Sequence, residues 1–292
     1  MADTAFKGPK ISPSIARIQL AYEALQARSP GEKLYIAYSG GKDSDCVVAL
    51  ALAAVGAEAI EVHYHVTGVD PPEVTRHINL RFRVWRALGA ECYSERPSVT
   101  MHDLIVKKGP PTRLKRFCCE YLKEGGGIGR VVLTGVRWAE SPRRAATHDI
   151  LTIFSKNKAL RATYSQDNDI QRRIVEHCTT KSKITVNPIV DWSDTDVWSF
   201  LRSFKIPYCR LYDEGFTRIG CIGCPMADKA RLHEFARWPY MRRYYLRAFA
   251  DMLLAHPEWV GRNGWYDAES VFHWWLQDGH VRGQIEMELD EA

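Results

Sequence analysis

Two groups of residues in this 292-residue chain have the types and spacing to do chemistry. The first is contiguous: Ser39-Gly40-Gly41-Lys42-Asp43-Ser44. Paired glycines let a backbone turn tightly and approach an anion, and amides at a helix start point at that anion. Lys42 adds a positive charge, and Ser39 and Ser44 add hydroxyl donors. Asp43 is a poor direct neighbour for phosphate, so its expected task is to orient the loop or to help hold Mg²⁺. The spacing differs from the Gly-x-x-x-x-Gly-Lys-Ser/Thr loop of kinases and GTPases.

The second group is split. Cys118 and Cys119 are adjacent, and Cys221 and Cys224 form a Cys-x-x-Cys. Two tight thiol pairs suggest one shared metal centre. Paired zinc ligands usually stand about two to four residues apart, and neighbouring cysteines reach a single ion only awkwardly. A [4Fe–4S] cube takes four thiolates on separate iron corners, so adjacent ligands suit it better. Cys46, Cys92, Cys178 and Cys209 read as buried reduced thiols.

The elements that must position these groups follow from periodicity and punctuation. A helix over 14–27 ends at Ser29-Pro30-Gly31. Residues 34–38 read as a buried strand, 46–52 as a helix and 59–66 as a second strand. That is a βαβ unit and hence a parallel sheet. The loop then sits where α/β folds bind ligands, between a strand end and a helix start. Asp70 precedes Pro71-Pro72 in the next turn, ahead of a helix carrying Val74, Ile78, Phe82 and Trp85. A further strand, 130–134, ends in Gly135-Val136-Arg137-Trp138-Ala139-Glu140-Ser141-Pro142-Arg143-Arg144. Its arginines can grip phosphate or sulfate bidentately, although Arg143 and Arg144 would face opposite ways on an extended segment. Ser193 or Asp194 caps a helix running to Phe204. The stretch 155–183 is polar, with alternating charges, and reads as a helix-bearing insertion or a lid. Over 231–256, Arg237, Arg242, Arg243 and Arg247 alternate with Trp238, Tyr240, Tyr244 and Tyr245. That interleaving suits a nucleic-acid backbone, and equally a helix that packs its aromatic stripe. Residues 286–291 form an acidic tail.

Composition narrows the class. At 46% hydrophobic, 11% aromatic and 26% charged, the chain is neither disordered nor collagen-like. Its length suits about two domains at most. A net charge of +5 permits an anionic ligand without demanding one. No apolar run approaches the ~18 residues of a membrane span, and residues 1–11 lack the apolar core of a secretory leader. The expectation is a cytoplasmic protein with no membrane partner, whose eight cysteines stay reduced.

Ser39–Ser44 resembles the pyrophosphate loop of the PP-loop ATP pyrophosphatases, which split ATP between its α and β phosphates. That superfamily includes the phosphoadenosine phosphosulfate (PAPS) reductase-like family. Gly135-x-Arg137…Glu140-Ser141…Arg144 is similar to an anion-binding segment of this family, and the loop at Asp70 to its acidic, proline-containing turn. Cys-Cys followed by a distant Cys-x-x-Cys is similar to the cluster motif of adenylyl sulfate (APS) reductases and of DNA phosphorothioation (DndC-like) enzymes. Lys123 and Gly125-Gly126 continue that likeness, and Pro188-Ile189…Trp192 before Asp196-Val197-Trp198 is similar to the family's closing segment, where the last helix packs beside the sheet. The resemblance spans roughly residues 34 to 228.

It implies a Rossmann-like doubly wound α/β sheet of the adenine nucleotide α hydrolase type, with a smaller helical C-terminal region. The corresponding division is an N-terminal helix over 1–30, a nucleotide-binding domain over 31–205 and a Cys-x-x-Cys and aromatic region over 206–292. It implies catalytic roles for Lys42, Asp43 and Arg137. A nucleotide site would comprise Ser39, Gly40, Gly41, Lys42, Asp43, Ser44, Asp70, Gly135, Arg137, Glu140, Ser141 and Arg144. Cys118, Cys119, Cys221 and Cys224 would hold a [4Fe–4S] cluster, and ATP and Mg²⁺ complete the cofactors. The reductases also carry a nucleophilic cysteine in a Glu-Cys-Gly-x-His segment, and no cysteine follows Cys224. With an intact ATP loop, the expectation is sulfur transfer: ATP adenylates an acceptor, and sulfur displaces AMP. A DNA phosphate would be the acceptor, a cysteine desulfurase the type of donor, and proteins of a modification complex the partners. The alternatives are a PAPS or APS reductase and a non-catalytic nucleotide or redox sensor.

Overall fold

Short strands build a seven-stranded sheet in the order β3 (Glu91–Glu95), β2 (Ile60–His65), β1 (Leu34–Ala37), β4 (Val131–Leu133), β7 (Lys183–Val186), β5 (Leu151–Phe154) and β6 (Ala162–Tyr164). The computed structural model describes residues 8–123, 125–140, 150–154, 162–164, 183–227 and 230–277. Ser141, Arg143, Arg144, Cys178, the stretch 286–291, and residues 155–183 apart from Ala162–Tyr164 and Lys183 lie outside them. Two compact units are present. One is drawn from Met1–His65, Pro72–Glu95 and Gly126–Ile219, the other from Val66–Pro71, Arg96–Gly125 and Gly220–Ala292. They interleave along the chain, in contrast to the contiguous division at residues 30 and 205, because the first helix packs on the sheet domain and 96–125 joins the C-terminal helices.

The first unit carries the sheet. Strands β1 (Leu34–Ala37), β2 (Ile60–His65), β3 (Glu91–Glu95), β4 (Val131–Leu133) and β7 (Lys183–Val186) run parallel. Strands β5 (Leu151–Phe154) and β6 (Ala162–Tyr164) extend the β7 edge in antiparallel fashion, an addition the sequence pattern did not announce. Helix α1 (Ile11–Arg28) packs on α2 (Lys42–Val55), which also meets α6 (Asp194–Ser203). Ile36, Val47, Val48, Leu50, Ile60, Val62 and Leu133 are fully buried and form the core. Alternation puts Tyr35, Glu61, His63 and Tyr93 on the opposite face, where the Tyr35 and His63 rings stack with centroids 3.8 Å apart. Strand order reverses between β1 and β4, which makes their carboxyl ends the topological switch point where such sheets bind ligands. This is the Rossmann-like, adenine nucleotide α hydrolase-like α/β fold.

The second unit is helical: α4 (Met101–Lys108), α5 (Phe117–Leu122), α7 (Ala230–Arg237), α8 (Pro239–Ala255) and α9 (Ala268–Leu276). The stretch 231–256 is two helices rather than one, because Pro239 takes the first position of α8 and lacks the N–H that would continue α7. Phe235, Tyr245, Phe249, Phe272 and Trp275 form its aromatic core, with ring centroids 4.7 to 6.4 Å apart. Tyr245 and Trp238 are therefore core residues, and Arg242 lies over the Phe272 ring while pairing with Glu269. No helix among the described residues is long and apolar enough to cross a membrane.

Candidate functional site

The loop between β1 and α2 is held by hydroxyl groups. The Ser39 and Ser44 hydroxyls lie 3.2 Å apart, and Ser44 Oγ donates to the Gly41 carbonyl at 2.8 Å. Ser39 Oγ accepts from the Gly41 N–H at 3.4 Å, and the Tyr212 hydroxyl accepts from the Lys42 N–H at 3.0 Å. Gly40 has φ +74°, and a Cβ there would stand 2.9 Å from Val74 and Ile78 of α3 (Pro72–Ala87). Only glycine lets the loop turn left-handed flat against that helix. At Gly135, a Cβ would lie 3.0 Å from the Asp43 backbone, so the β4 end also approaches closely.

Four charges close a ring at this point. Lys42 Nζ lies 3.2 Å from both Asp43 Oδ2 and Asp194 Oδ1. Arg137, 2% exposed, donates to Asp43 at 2.6 Å, to Asp194 at 2.8 Å and to the Trp192 carbonyl at 3.1 Å. Burial works against the Asp194 carboxylate, but Lys42 and Arg137 hold its pKa below the usual range. Two cations beside a helix N-terminus can take two phosphate groups, with the carboxylates holding those cations in place and balancing their charge meanwhile. Beneath the loop, the fully buried Asp45 accepts from Tyr38 at 2.7 Å and pairs with His77 at 2.9 Å, tying α2 to α3. Burial, then Asp45 itself, raises the Tyr38 hydroxyl.

The structure thus brings together Ser39, Gly40, Gly41, Lys42, Asp43, Ser44, Gly135 and Arg137. Glu140 stands one step back: its carboxylate accepts from the Arg137 N–H at 3.2 Å and shapes the turn that carries Arg137. Ser141 and Arg144 lie outside the described residues. Sequence reasoning missed Asp194, Tyr212 and the Asp45–His77 pair. For Asp194 a signal existed. In Ser193-Asp194-Thr195-Asp196, Ser193 and Asp196 form a reciprocal capping box, which leaves the Asp194 carboxylate to the cations.

The second unit holds the thiols. Cys118, Cys119, Cys221 and Cys224 are free, and the first feels the charge of the other three. A hydrogen bond with Cys119 and then burial push Cys118 up. The same hydrogen bond, with help from Arg116 and Lys123 and against burial, brings Cys119 down to about 6. Burial raises Cys221 while Lys123 opposes it. Lys123 is held in its ammonium form chiefly by Cys221, with Asp70 adding to the effect. Asp70 belongs to this unit, and its carboxylate accepts from the Thr67 N–H at 2.9 Å. Cys221 reaches the Thr67 hydroxyl at 3.5 Å. As a donor set, four soft sulfurs with one ammonium among them fit an iron–sulfur group. Among the described residues, however, no group of three or more His, Cys, Asp or Glu side chains is placed to hold a metal ion, so the thiols fit such a group in chemistry and would have to draw together to ligate it. Cys46, Cys92 and Cys209 are buried, and burial raises each of them.

Residues 33–227 match the phosphoadenosine phosphosulfate reductase domain, and the chain belongs to that family. An uncharacterised protein of Methanocaldococcus jannaschii is 26% identical over 265 residues, covering 86% of this chain and 48% of that protein. The chain spans about half the length of the curated relatives it matches over most of its residues. The adenosine 5'-phosphosulfate reductase of Allochromatium vinosum is 43% identical over 42 residues, 14% of this chain and 16% of that enzyme. Among solved structures, the PAPS reductase of Candida auris aligns with TM-score 0.43 and 16% identity, covering 69% of this chain and 87% of that one.

Proposed function

We propose that the chain binds ATP on the Ser39–Ser44 loop and cleaves it between the α and β phosphates, adenylating an acceptor for sulfur transfer. The reading extends to sulfuration of a nucleic-acid phosphate, as in DNA phosphorothioation of the DndC-like type. The observation that carries it is the ring of Lys42, Asp43, Arg137 and Asp194 beside the start of α2. In that mechanism an acceptor oxygen attacks the α-phosphorus, the bond to the bridging oxygen breaks, and pyrophosphate leaves with its electron pair. Lys42 and the loop amides stabilise the departing charge, and Arg137 orients the phosphates bidentately. Asp43, which pairs with Lys42 and Arg137, would help hold a nucleotide-borne Mg²⁺, which would neutralise phosphate charge. Cys118, Cys119, Cys221 and Cys224 would hold a [4Fe–4S] cluster, which supplies electrons or sulfur when bound. The sulfur itself would come from a donor of the cysteine desulfurase class.

The local identity with adenosine 5'-phosphosulfate reductases favours a second reading, reduction of an adenylyl sulfate to sulfite. One assay separates the two. Anaerobically prepared protein is given ATP and Mg²⁺, with and without DNA, and pyrophosphate is measured. DNA-stimulated release is expected, and Lys42→Ala should abolish it while leaving any visible absorption in place. No release, together with tight binding of an adenylyl sulfate, would overturn the ATP reading. Cys221→Ser should bleach visible absorption, and zinc found in its place in the wild type would end the iron–sulfur assignment.

A further inference from the structure

The Cys-x-x-Cys turn is gripped by side chains that no loop motif accounts for. The Ile222 N–H donates to the Val69 carbonyl at 2.8 Å, and the Ile222 carbonyl accepts from the Tyr245 hydroxyl at 2.8 Å. The Gly223 N–H donates to the Glu234 carboxylate at 2.7 Å. Gly223 itself has φ +75°, and a Cβ there would stand 2.7 Å from Phe235, 2.8 Å from Trp275 and 3.2 Å from Tyr245. The 222–223 peptide group is therefore held at both its carbonyl and its N–H, the 221–222 group is held by Val69, the Cys224 N–H closes the turn on the Cys221 carbonyl at 3.2 Å, and the turn lies flat on an aromatic floor. The anchors are deeply placed: Tyr245 is 1% exposed and Glu234 8%. The floor is anchored in turn, since Trp275 donates to the Pro111 carbonyl at 2.7 Å and buried Arg231 donates to the Trp275 carbonyl at 2.8 Å. Helices α7, α8 and α9 all lie beyond residue 227, where the match to the family domain ends.

We propose that Glu234 and Tyr245 are positioning residues for Cys221 and Cys224, fixing the turn so that both sulfurs are set before anything binds them. The proposal rests on the reading of the four cysteines as one thiolate group. With the 222–223 peptide group free to rotate, the turn would spread its sulfurs over many arrangements, and ordering them would weaken ligand capture. Anchoring removes that cost. Glu234 also occupies the Gly223 N–H, which is then not open to a sulfur acceptor.

The test is anaerobic titration of the full-length, metal-free chain with Cd²⁺, read by cadmium–thiolate charge-transfer absorption. Tyr245→Phe keeps the ring on the floor and deletes only the hydroxyl. Glu234→Ala deletes the acceptor, and Glu234→Gln restores it. Tyr245→Phe and Glu234→Ala should bind Cd²⁺ about 10–100-fold more weakly, with Glu234→Gln recovering most of the loss. Far-ultraviolet circular dichroism of Tyr245→Phe should match the wild type. If Tyr245→Phe and Glu234→Ala both bind Cd²⁺ as the wild type does while Cys221→Ser binds weakly, the positioning role is wrong. If Cys118→Ser and Cys119→Ser leave Cd²⁺ binding untouched, the four-thiolate reading fails, and the anchors are then judged on Cys221 and Cys224 alone.

Discussion

Six consecutive residues make the Ser39–Ser44 loop, whereas the thiol group draws its members from three separate stretches: 67–70, 118–123 and 221–224. The loop region balances charge. Lys42 and Arg137 each face Asp43 and Asp194, so attraction holds the ring together without any ligand. The thiol region crowds like groups. A hydrogen bond between them drives Cys118 up and Cys119 down, and Arg116 and Lys123 bring countercharge to Cys119. A region of opposite charges can be kept in place by its own members, but a region of like groups needs outside support. The aromatic floor and its two anchors provide that support around Gly223.

The largest expected effect breaks the balanced region. Arg137→Met buries an apolar side chain in place of the 2%-exposed guanidinium and takes from Asp43 its 2.6 Å partner, leaving it Lys42 alone. Removing one member of such a buried pair costs about 3–5 kcal/mol. Urea denaturation should register that loss, and Arg137→Lys should recover only part of it, since one ammonium cannot replace the fork that reaches Asp43, Asp194 and Trp192 together. A stability equal to wild type in Arg137→Met would mean the ring is incidental.

The next effect sharpens the comparison, because each region contains a left-handed glycine with no room for a Cβ. Gly40→Ala and Gly223→Ala should each destabilise by about 2–4 kcal/mol, the sum of left-handed strain and overpacking. Their functional consequences should cross over. Gly40→Ala should lose nucleotide binding and keep Cd²⁺–thiolate absorption, and Gly223→Ala should do the reverse. Equal damage to both readouts in either variant would show that the regions do not act separately.

The same contrast governs what could be read from the chain beforehand. The loop was legible because its glycines, lysine and hydroxyls are adjacent and sit at a strand–helix junction. The parallel sheet was legible because alternating apolar strands and helices leave few other arrangements. Arg137 was legible as a strand-end arginine, while its partner Asp194 was read only as a cap, although the Ser193–Asp196 capping box already left its carboxylate free for another task. The thiols were legible only as two pairs. Nothing local in Glu234 or Tyr245 shows that each reaches a peptide group some eleven or twenty-three residues away. Such long-range anchors are set by helix packing, and a heptad-like aromatic stripe predicts burial without saying which carbonyl a buried hydroxyl will find.

The smallest effect concerns acid. Lys10 first, then the Ser193 hydroxyl and N–H, bring Asp196 down to about 2. A carboxylate depressed on folding adds stability that is complete above its ordinary value of about 4 and lost as pH falls through the folded value. The capping box of α6 should therefore weaken between about pH 4 and pH 2. Since α6 starts at Asp194, fraying there would release Lys42 and Arg137 from one of their two carboxylates. Asp196→Asn removes the titration, so its acid limb should be flatter than that of the wild type. The pair is partly exposed, so the difference at neutral pH should be slight. Hydrogen exchange of the α6 first-turn amides, compared with those of α8 between about pH 5 and pH 2, is the direct measurement. Earlier loss of protection in α6 of the wild type, absent as a pH effect in Asp196→Asn, would place the acid-sensitive joint in the charge-balanced region. Equal loss in both helices would mean that acid unfolds them together and that the capping box has no separate role.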